Sequence, residues 1–175
     1  IDPGSGVFKA GFAGEDFPKH CFPTVVGYPR VKNEKDLAKM KETKAMLKQG
    51  EHYSSFGIVV GESIMNQKNG LTLSYPISRG VVNNWTEMEM IYDHVLLEQL
   101  EVDPEETKIL LTHTPFQSHK SMQEQAEILF EIFGVSGLAI VNQAILTLYS
   151  TGRTTGLVVD SGDEITSFIP IVHNY

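Results

Sequence analysis

Two short runs constrain this chain more than anything else in it: Asp2-Pro3-Gly4-Ser5-Gly6 near its start, and Leu157-Val158-Val159-Asp160-Ser161-Gly162-Asp163 in its last quarter. Each reads as a strand ending in an aspartate and followed by a tight Gly/Ser turn. Glycine lets such a turn double back, and its backbone N–H groups are then free to face an anion. One copy is a weak signal, since Asp, Gly and Ser are also ordinary hairpin residues. Two copies predict two jaws of one phosphate clamp. The carboxylate ahead of each turn falls where a hydrated divalent cation finds oxygen ligands.

The rest of the chain supports a globular α/β protein. Its 175 residues are 41% hydrophobic, enough for a real core. No apolar run has the length of a membrane span and no signal-peptide pattern opens the chain. Cys21 is the only cysteine, which rules out an internal disulfide and fits a reducing compartment. The net charge of -8 argues against general nucleic-acid binding, yet it is unevenly spread. Residues 30 to 50 carry seven basic side chains against three acidic ones, a net +4, which leaves -12 on the remainder. A basic stretch on an acidic body fits either an acidic partner surface or a solvated helix face. The six histidines show no metal-ligand spacing and read as surface or core residues.

Taken in order, residues 1 to 26 read as three strands: one truncated at Asp2, one over Val7 to Phe12 and one over Phe22 to Val26. Asp2 has almost nothing before it, so the natural protein is expected to start upstream of Ile1. A helix follows, with Asn33 as N-cap, Lys44 and Lys48 late and Gly50 beyond. Gly57 to Val60 and Leu71 to Leu73 read as strands joined through Gly61 and Asn69-Gly70. Thr86 to Glu89 matches a capping box, opening a helix that places Met88, Ile91, Tyr92, Val95, Leu96 and Leu100 on one face. Lys108 to Thr112 reads as a buried strand. Ser121 to Glu124 matches a second capping box in a helix that Gly134 stops. Leu138 to Val141 is the next strand, Asn142 caps a helix through Tyr149, and a hairpin of Gly156 to Asp160 with Thr166 to Ile171 closes the chain. This order makes one α/β unit and the start of a second. Residues 1-26 and 76-175 form the expected main domain, with 27-75 inserted as a small subdomain.

Several motifs then stand in a characteristic order: Lys9-Ala10-Gly11-Phe12-Ala13-Gly14, Tyr75-Pro76-Ile77 with Gly80-Val81-Val82, Asn84-Trp85, Leu110-Leu111-Thr112, Gln143 to Tyr149, Gly152-Arg153-Thr154-Thr155-Gly156 and Asp160-Ser161-Gly162-Asp163. With them the chain resembles the amino-terminal half of actin and its relatives, within the superfamily of sugar kinases and seventy-kilodalton heat-shock ATPases. The resemblance covers nearly everything except about 31-58. It implies an actin-like, ribonuclease H-like fold: a five-stranded mixed sheet with helices, plus the small inserted subdomain.

The resemblance also implies ATP or ADP with Mg2+ in a cleft. Gly4, Ser5, Gly6, Val7 and Lys9 are then expected on the phosphates from one hairpin, with Gly162 and Asp163 facing them from the other. Asp2, Gln143 and Asp160 are expected to organise the metal's waters, and Gln143 to position the attacking water. Such a site works by positioning and electrostatics. Gln143 and Asp160 are the expected catalytic residues of what is at most a slow ATPase. Four departures weaken the pattern. Pro3 removes one N–H, Glu164 adds a negative charge after Asp163, and Ser167 and Arg79 each stand where relatives carry histidine.

The basic stretch, helical at about 31-58, is roughly twice the length expected of the loop that docks subunits in actin filaments. Long insertions cost little loop entropy, so the fold survives while the docking surface changes. The implied function is a nucleotide-binding structural or assembly subunit of a filament or multiprotein complex. Its partners are other actin-family subunits, an apolar helix near Tyr149, Gly152 and Thr154, and an acidic surface for residues 30-50. Neither a membrane nor direct nucleic-acid contact is expected. The implied location is cytoplasmic and cytoskeletal, with a nuclear complex as the other setting. An active phosphotransferase or ATPase of the sugar kinase or chaperone type is the alternative. The 175 residues are further expected to be a partial chain that is poorly soluble outside a larger assembly.

Overall fold

The computed structural model describes residues 1–31, 34–47, 52–67 and 70–173. Alternation along β2 (Val7–Ala10) buries Phe8 and Ala10 and leaves Val7 and Lys9 outside. β2 pairs antiparallel with β1 (Asp2–Pro3) on one side and β3 (His20–Pro23) on the other. The strand expected over Phe22 to Val26 is two strands. A turn closed by Val25 N–H to Pro23 O separates β3 from β4 (Val26–Pro29).

β4 is the middle of a second antiparallel sheet. α1 (Glu34–Leu47) follows it, and β5 (Val59–Val60) returns along one edge. α2 (Ser63–Gln67) leads to β6 (Leu71–Ser74) on the other edge. The sequence does not foretell α2, which fits five residues between Gly61 and Gly70 where a direct turn is expected. Its Ile64 packs with Val25 and Leu71 in a small core of its own. The expected cap Asn33, stop Gly50 and turn residue Asn69 lie outside the described residues.

After the hairpin of β7 (Ile77–Ser78) and β8 (Val81–Val82) comes α3 (Trp85–Asp93), which continues with π-type spacing through His94–Gln99. All six residues expected on its inner face are buried, Met88, Ile91, Tyr92 and Val95 completely. The helix starts two residues earlier than the capping-box pattern implies. Asn84, not Thr86, is the N-cap, and its side chain accepts the Glu87 N–H. The second capping-box pattern, Ser121 to Glu124, lies inside α4 (His119–Glu127), as expected. Ser118 caps it by accepting the Ser121 N–H, and the helix runs on through Ile128–Ile132 to a stop at Gly134, φ +69°.

β9 (Lys108–His113) precedes α4 and pairs in parallel with β10 (Gly137–Asn142). β9 also meets β1: the Ile1 amine donates to Leu110 O at 2.8 Å, and Thr112 N–H donates to Ile1 O at 3.0 Å. That alternation is the parallel pattern. It brings the three-stranded sheet β1-β2-β3 and the two-stranded sheet β9-β10 edge to edge. Their core is continuous with α3 and α4, where Phe8 stacks on Phe22 with centroids 5.4 Å apart and meets Tyr92 edge-on.

α5 (Gln143–Ser150) then starts at Asn142, whose side chain accepts the Ala144 N–H as expected. It packs Ala144 and Leu148 against Val158, Ile169 and Ile171 of the antiparallel pair β11 (Gly156–Ser161) and β12 (Thr166–Ile171). The other face of this pair leaves Leu157, Val159 and Phe168 exposed.

One buried carboxylate ties the second sheet to α3. Glu87 is 3% exposed and accepts from Tyr28 Oη and from Ser74 Oγ, each at 2.9 Å. Burial, and then the Glu87 charge, push the Tyr28 phenol well above its usual range, so it stays a donor. Glu87→Ala leaves two donors unpaired and is expected to lower stability by about 2–3 kcal/mol in denaturant titrations. A loss under about 0.5 kcal/mol contradicts this anchoring role. A second tie joins Tyr53 Oη to Glu98 Oε1 at 2.8 Å. Burial pushes Glu98 up, but hydrogen bonds from Tyr53 and His94 outweigh it and hold the carboxyl below its usual range.

Candidate functional site

The two Gly/Ser turns face each other. A Cβ placed on Gly6 meets Cβ and Cγ of Asp163 at 2.9 Å, so only glycine lets the two turns approach this closely. Gly4 is pinched from within its own turn, where a Cβ falls 2.6 Å from Val7 O. Thr24 fixes the first turn from behind: its Oγ1 donates to Gly4 O at 2.6 Å and its N–H to Gly6 O at 3.1 Å.

The amides divide into committed and open ones. Gly4 N–H donates to Asp2 O, and Gly162 N–H donates to Ile165 O. The next two in each turn, Ser5 and Gly6 in one and Asp163 and Glu164 in the other, donate to no backbone carbonyl among the described residues. Successive open N–H groups of this kind form an anion-binding concavity.

A third turn braces both jaws. Arg79 and Gly80, with φ of +51° and +71°, are the two central residues of the β7–β8 hairpin, as in a type I′ turn. Gly80 N–H donates to Ser5 Oγ at 3.0 Å, and Arg79 N–H donates to the Glu164 carboxylate. Ser5 Oγ thus accepts from the protein and keeps its own O–H to give. Glu164, whose charge the sequence sets beside the second turn, is committed to a backbone amide.

The carboxylates behind the turns are held as well. Asp2 accepts from Thr112 Oγ1 at 2.5 Å and pairs with Lys9 Nζ at 3.0 Å. Lys9 projects from the outer face of β2, half exposed, with Val7 on the same face. Asp160 near the end of β11 accepts from Gln143 Nε2, at the start of α5, at 2.6 Å. A small cavity behind the first turn is lined by Pro3, Gly80, Thr112, His113 and Gln143. Ser167 is buried opposite Asp160 on β12.

The structure therefore joins Asp2 with Lys9, Gly6 with Asp163, and Gln143 with Asp160. Sequence reasoning missed Thr112, Thr24 and the Arg79-Gly80 turn as supports. Thr112 stood inside a recognised motif, but its partner lies 110 residues away and no local spacing marks the pair. Tyr149, Gly152 and Thr154, the expected groove residues, are all exposed at the end of α5, with Gly152 at φ +71°.

The sequence matches the family described as Actin over residues 1–175. It is 39% identical over 174 residues to "Actin-related protein 2" of Arabidopsis thaliana, an overlap of 99% of this chain and 41% of that relative. The proteins of the same name in Oryza sativa subsp. indica and subsp. japonica are each 40% identical over 174 residues, with the same coverage. The chain thus spans about two fifths of the length of these relatives, 41%. With the whole chain matched, this protein belongs to the actin family.

Proposed function

We propose that this chain supplies the phosphate clamp of an actin-type assembly subunit that holds ATP or ADP with Mg2+. The observation that carries the proposal is the contact-limited approach of Gly6 to Asp163. In this reading Gly4, Ser5, Gly6 and Val7 line one side of the phosphates, with Lys9 as a point charge, and Gly162 and Asp163 line the other. The donor set fits a hydrated hard cation. Asp2 and Asp160 each offer carboxylate oxygens already aimed by Thr112 and Gln143, and such a cation keeps several of its waters. When bound, Mg2+ neutralises phosphate charge and orders water.

Hydrolysis is slow or absent in this proposal. Gln143 is engaged with Asp160, and Ser167 is too short to reach as a histidine does. The nucleotide then acts as a structural ligand, stabilising the folded state by mass action. Residues 1-26 and 76-175 serve as the main domain and 27-75 as an inserted subdomain. The subunit joins other actin-family subunits in a cytoplasmic, cytoskeletal assembly, with the basic stretch 30-50 facing an acidic partner and the Tyr149, Gly152 and Thr154 region receiving an apolar helix. The sugar kinase or chaperone alternative is not favoured, because the actin family accounts for the whole chain.

The test is Asp160→Asn in the full-length protein. The amide still accepts from Gln143, so the fold is expected to hold while the negative oxygen is lost. Nucleotide retention at limiting Mg2+ should fall about tenfold or more, equivalent to ~1.4 kcal/mol. Unchanged retention with unchanged chelator sensitivity overturns the metal role of Asp160.

A further inference from the structure

We propose that His52, Asp93 and Glu98 form a site for a first-row divalent transition cation of the zinc class, clipping the segment after α1 to α3. It is separate from the phosphate clamp and does not depend on it. Nitrogen and oxygen atoms of the three side chains lie within 4.8 Å of one another. His52 Nε2 is already 3.0 Å from Asp93 Oδ2. Ligand atoms around tetrahedral zinc, with bonds of about 2.0–2.1 Å, stand roughly 3.3 Å apart, so modest side-chain rotation closes the set. An imidazole favours zinc over magnesium or calcium.

The helix geometry creates the pairing. Five residues separate Asp93 from Glu98, and on an α-helix that spacing turns them about 140° apart. The π-type stretch His94–Gln99, where Leu100 N–H reaches back to Val95 O at 2.8 Å, brings the fifth residue round to nearly the same side. His52 reaches them from the turn Tyr53–Phe56, which it caps.

Glu98 and His52 each have an outer partner that aims them, as is common for ligated side chains. Tyr53 Oη donates to Glu98 Oε1 at 2.8 Å, and buried His94 donates from Nδ1 to Oε2 at 2.7 Å. Gly61 leaves room for this ring: a Cβ added there would fall 2.5 Å from His94 Nε2. Without metal, His52 Nε2 carries the hydrogen given to Asp93. Binding moves that hydrogen to Nδ1, which gives up the weak 3.4 Å bond it accepts from the Ser54 N–H and donates to Ser54 Oγ at 2.7 Å, and frees Nε2 as a ligand.

The site also lacks charge balance and has room. A cleft of about 180 Å³ beside it is lined by His52, Tyr53, Glu89, Met90 and Asp93. Glu89 lies one helical turn before Asp93 and opens on the same cleft. Among the described residues, no lysine or arginine pairs with Glu89, Asp93 or Glu98. A divalent cation with water in the remaining position satisfies three carboxylates that otherwise repel one another.

The test is calorimetric titration of the full-length protein with Zn2+, with Mg2+ in excess to occupy any phosphate-linked site. One Zn2+ site per chain is expected, and Co2+ in its place should give the visible absorption of a four- or five-coordinate ion. Asp93→Asn keeps an acceptor for His52, Glu98→Gln keeps the acceptor for Tyr53 Oη but loses the one for His94 Nδ1, and His52→Ala removes an exposed ring. Each should weaken Zn2+ binding at least tenfold, while exposed His119→Ala leaves it unchanged. Zn2+ should raise the melting temperature of the unmodified protein and not of His52→Ala. Absence of a Mg2+-resistant Zn2+ site overturns the proposal, as does a site of undiminished affinity in His52→Ala and Asp93→Asn.

Discussion

Gly6→Val in the full-length protein is expected to cut nucleotide retention by roughly a hundredfold, about 2.7 kcal/mol, while leaving the melting temperature of the nucleotide-free protein nearly unchanged. The alanine Cβ alone already falls 2.9 Å from Cβ and Cγ of Asp163, and valine adds two methyl groups beyond it. Those atoms belong to the base of the Asp163 side chain, so no rotation of a flexible tip relieves the clash. The turns must separate. Each charge-assisted hydrogen bond to phosphate lost in the process costs about 1.5–3 kcal/mol. Stability suffers little because both turns lie at the surface, away from the core. Gly6→Ala should give an intermediate loss. Nucleotide off-rates measured by fluorescent-analogue chase distinguish the outcomes, and retention equal to the unmodified protein in Gly6→Val means the turns do not act as opposed jaws.

Phe8→Ala should have the largest effect on stability, about 3–5 kcal/mol. The ring is fully buried, stacks on Phe22 at 5.4 Å and meets Tyr92 at 6.1 Å, and β2 carries it directly between the first turn and Lys9. Truncation opens a cavity where the first sheet meets α3, which cannot collapse without moving β2. Against a typical total of about 5–15 kcal/mol, such a loss removes much of the margin. Denaturant midpoints of Phe8→Ala, Phe22→Ala and the double variant should be strongly non-additive, since the rings share one contact. Phe17→Ala, at 82% exposed, serves as the control and should change stability by less than about 0.5 kcal/mol. A Phe8→Ala loss no larger than the control contradicts the core described for the first sheet.

What the sequence reveals about this fold depends on how far apart the interacting residues lie. The inner face of α3 is written in local spacing, and Met88, Ile91, Tyr92, Val95, Leu96 and Leu100 are all buried. Asn142 is legible for the same reason, a side-chain cap acting two residues on. The first capping box misplaces the cap and the second lies within its helix, because Ser or Thr followed by Glu three residues later also occurs within a helix's first turn. Asn84 and Ser118 stand just ahead of each pattern and take the amides first. The seam between β1 and β9 is bonded across 109 residues, so it is visible only through the family resemblance.

The candidate site divides along the same line. Its two turns carry their chemistry in contiguous residues, and their motifs mark them out. Their supports do not: Thr112 behind Asp2 and Gly80 against Ser5 are separated by 110 and 75 residues from their partners. The cluster around His52 is harder still. His52 and Asp93 are 41 residues apart, and Glu98 joins them only because the helix widens between them. No ligand spacing in the sequence announces such a set. Glu164 is legible as a charge near the second turn, but its commitment to the Arg79 amide depends on the unusual φ of Arg79, which sequence does not disclose.

The most direct measurement is the nucleotide content of the gently purified full-length protein, released by denaturation and resolved by chromatography, with and without prior chelator. Near-stoichiometric adenine nucleotide is the expected result, lost slowly in Mg2+ and quickly after chelation, with ATP recovered intact in large part because hydrolysis is slow. A site that is empty from the start, and stays empty when ATP and Mg2+ are supplied, contradicts the phosphate clamp and leaves the paired turns as structural hairpins.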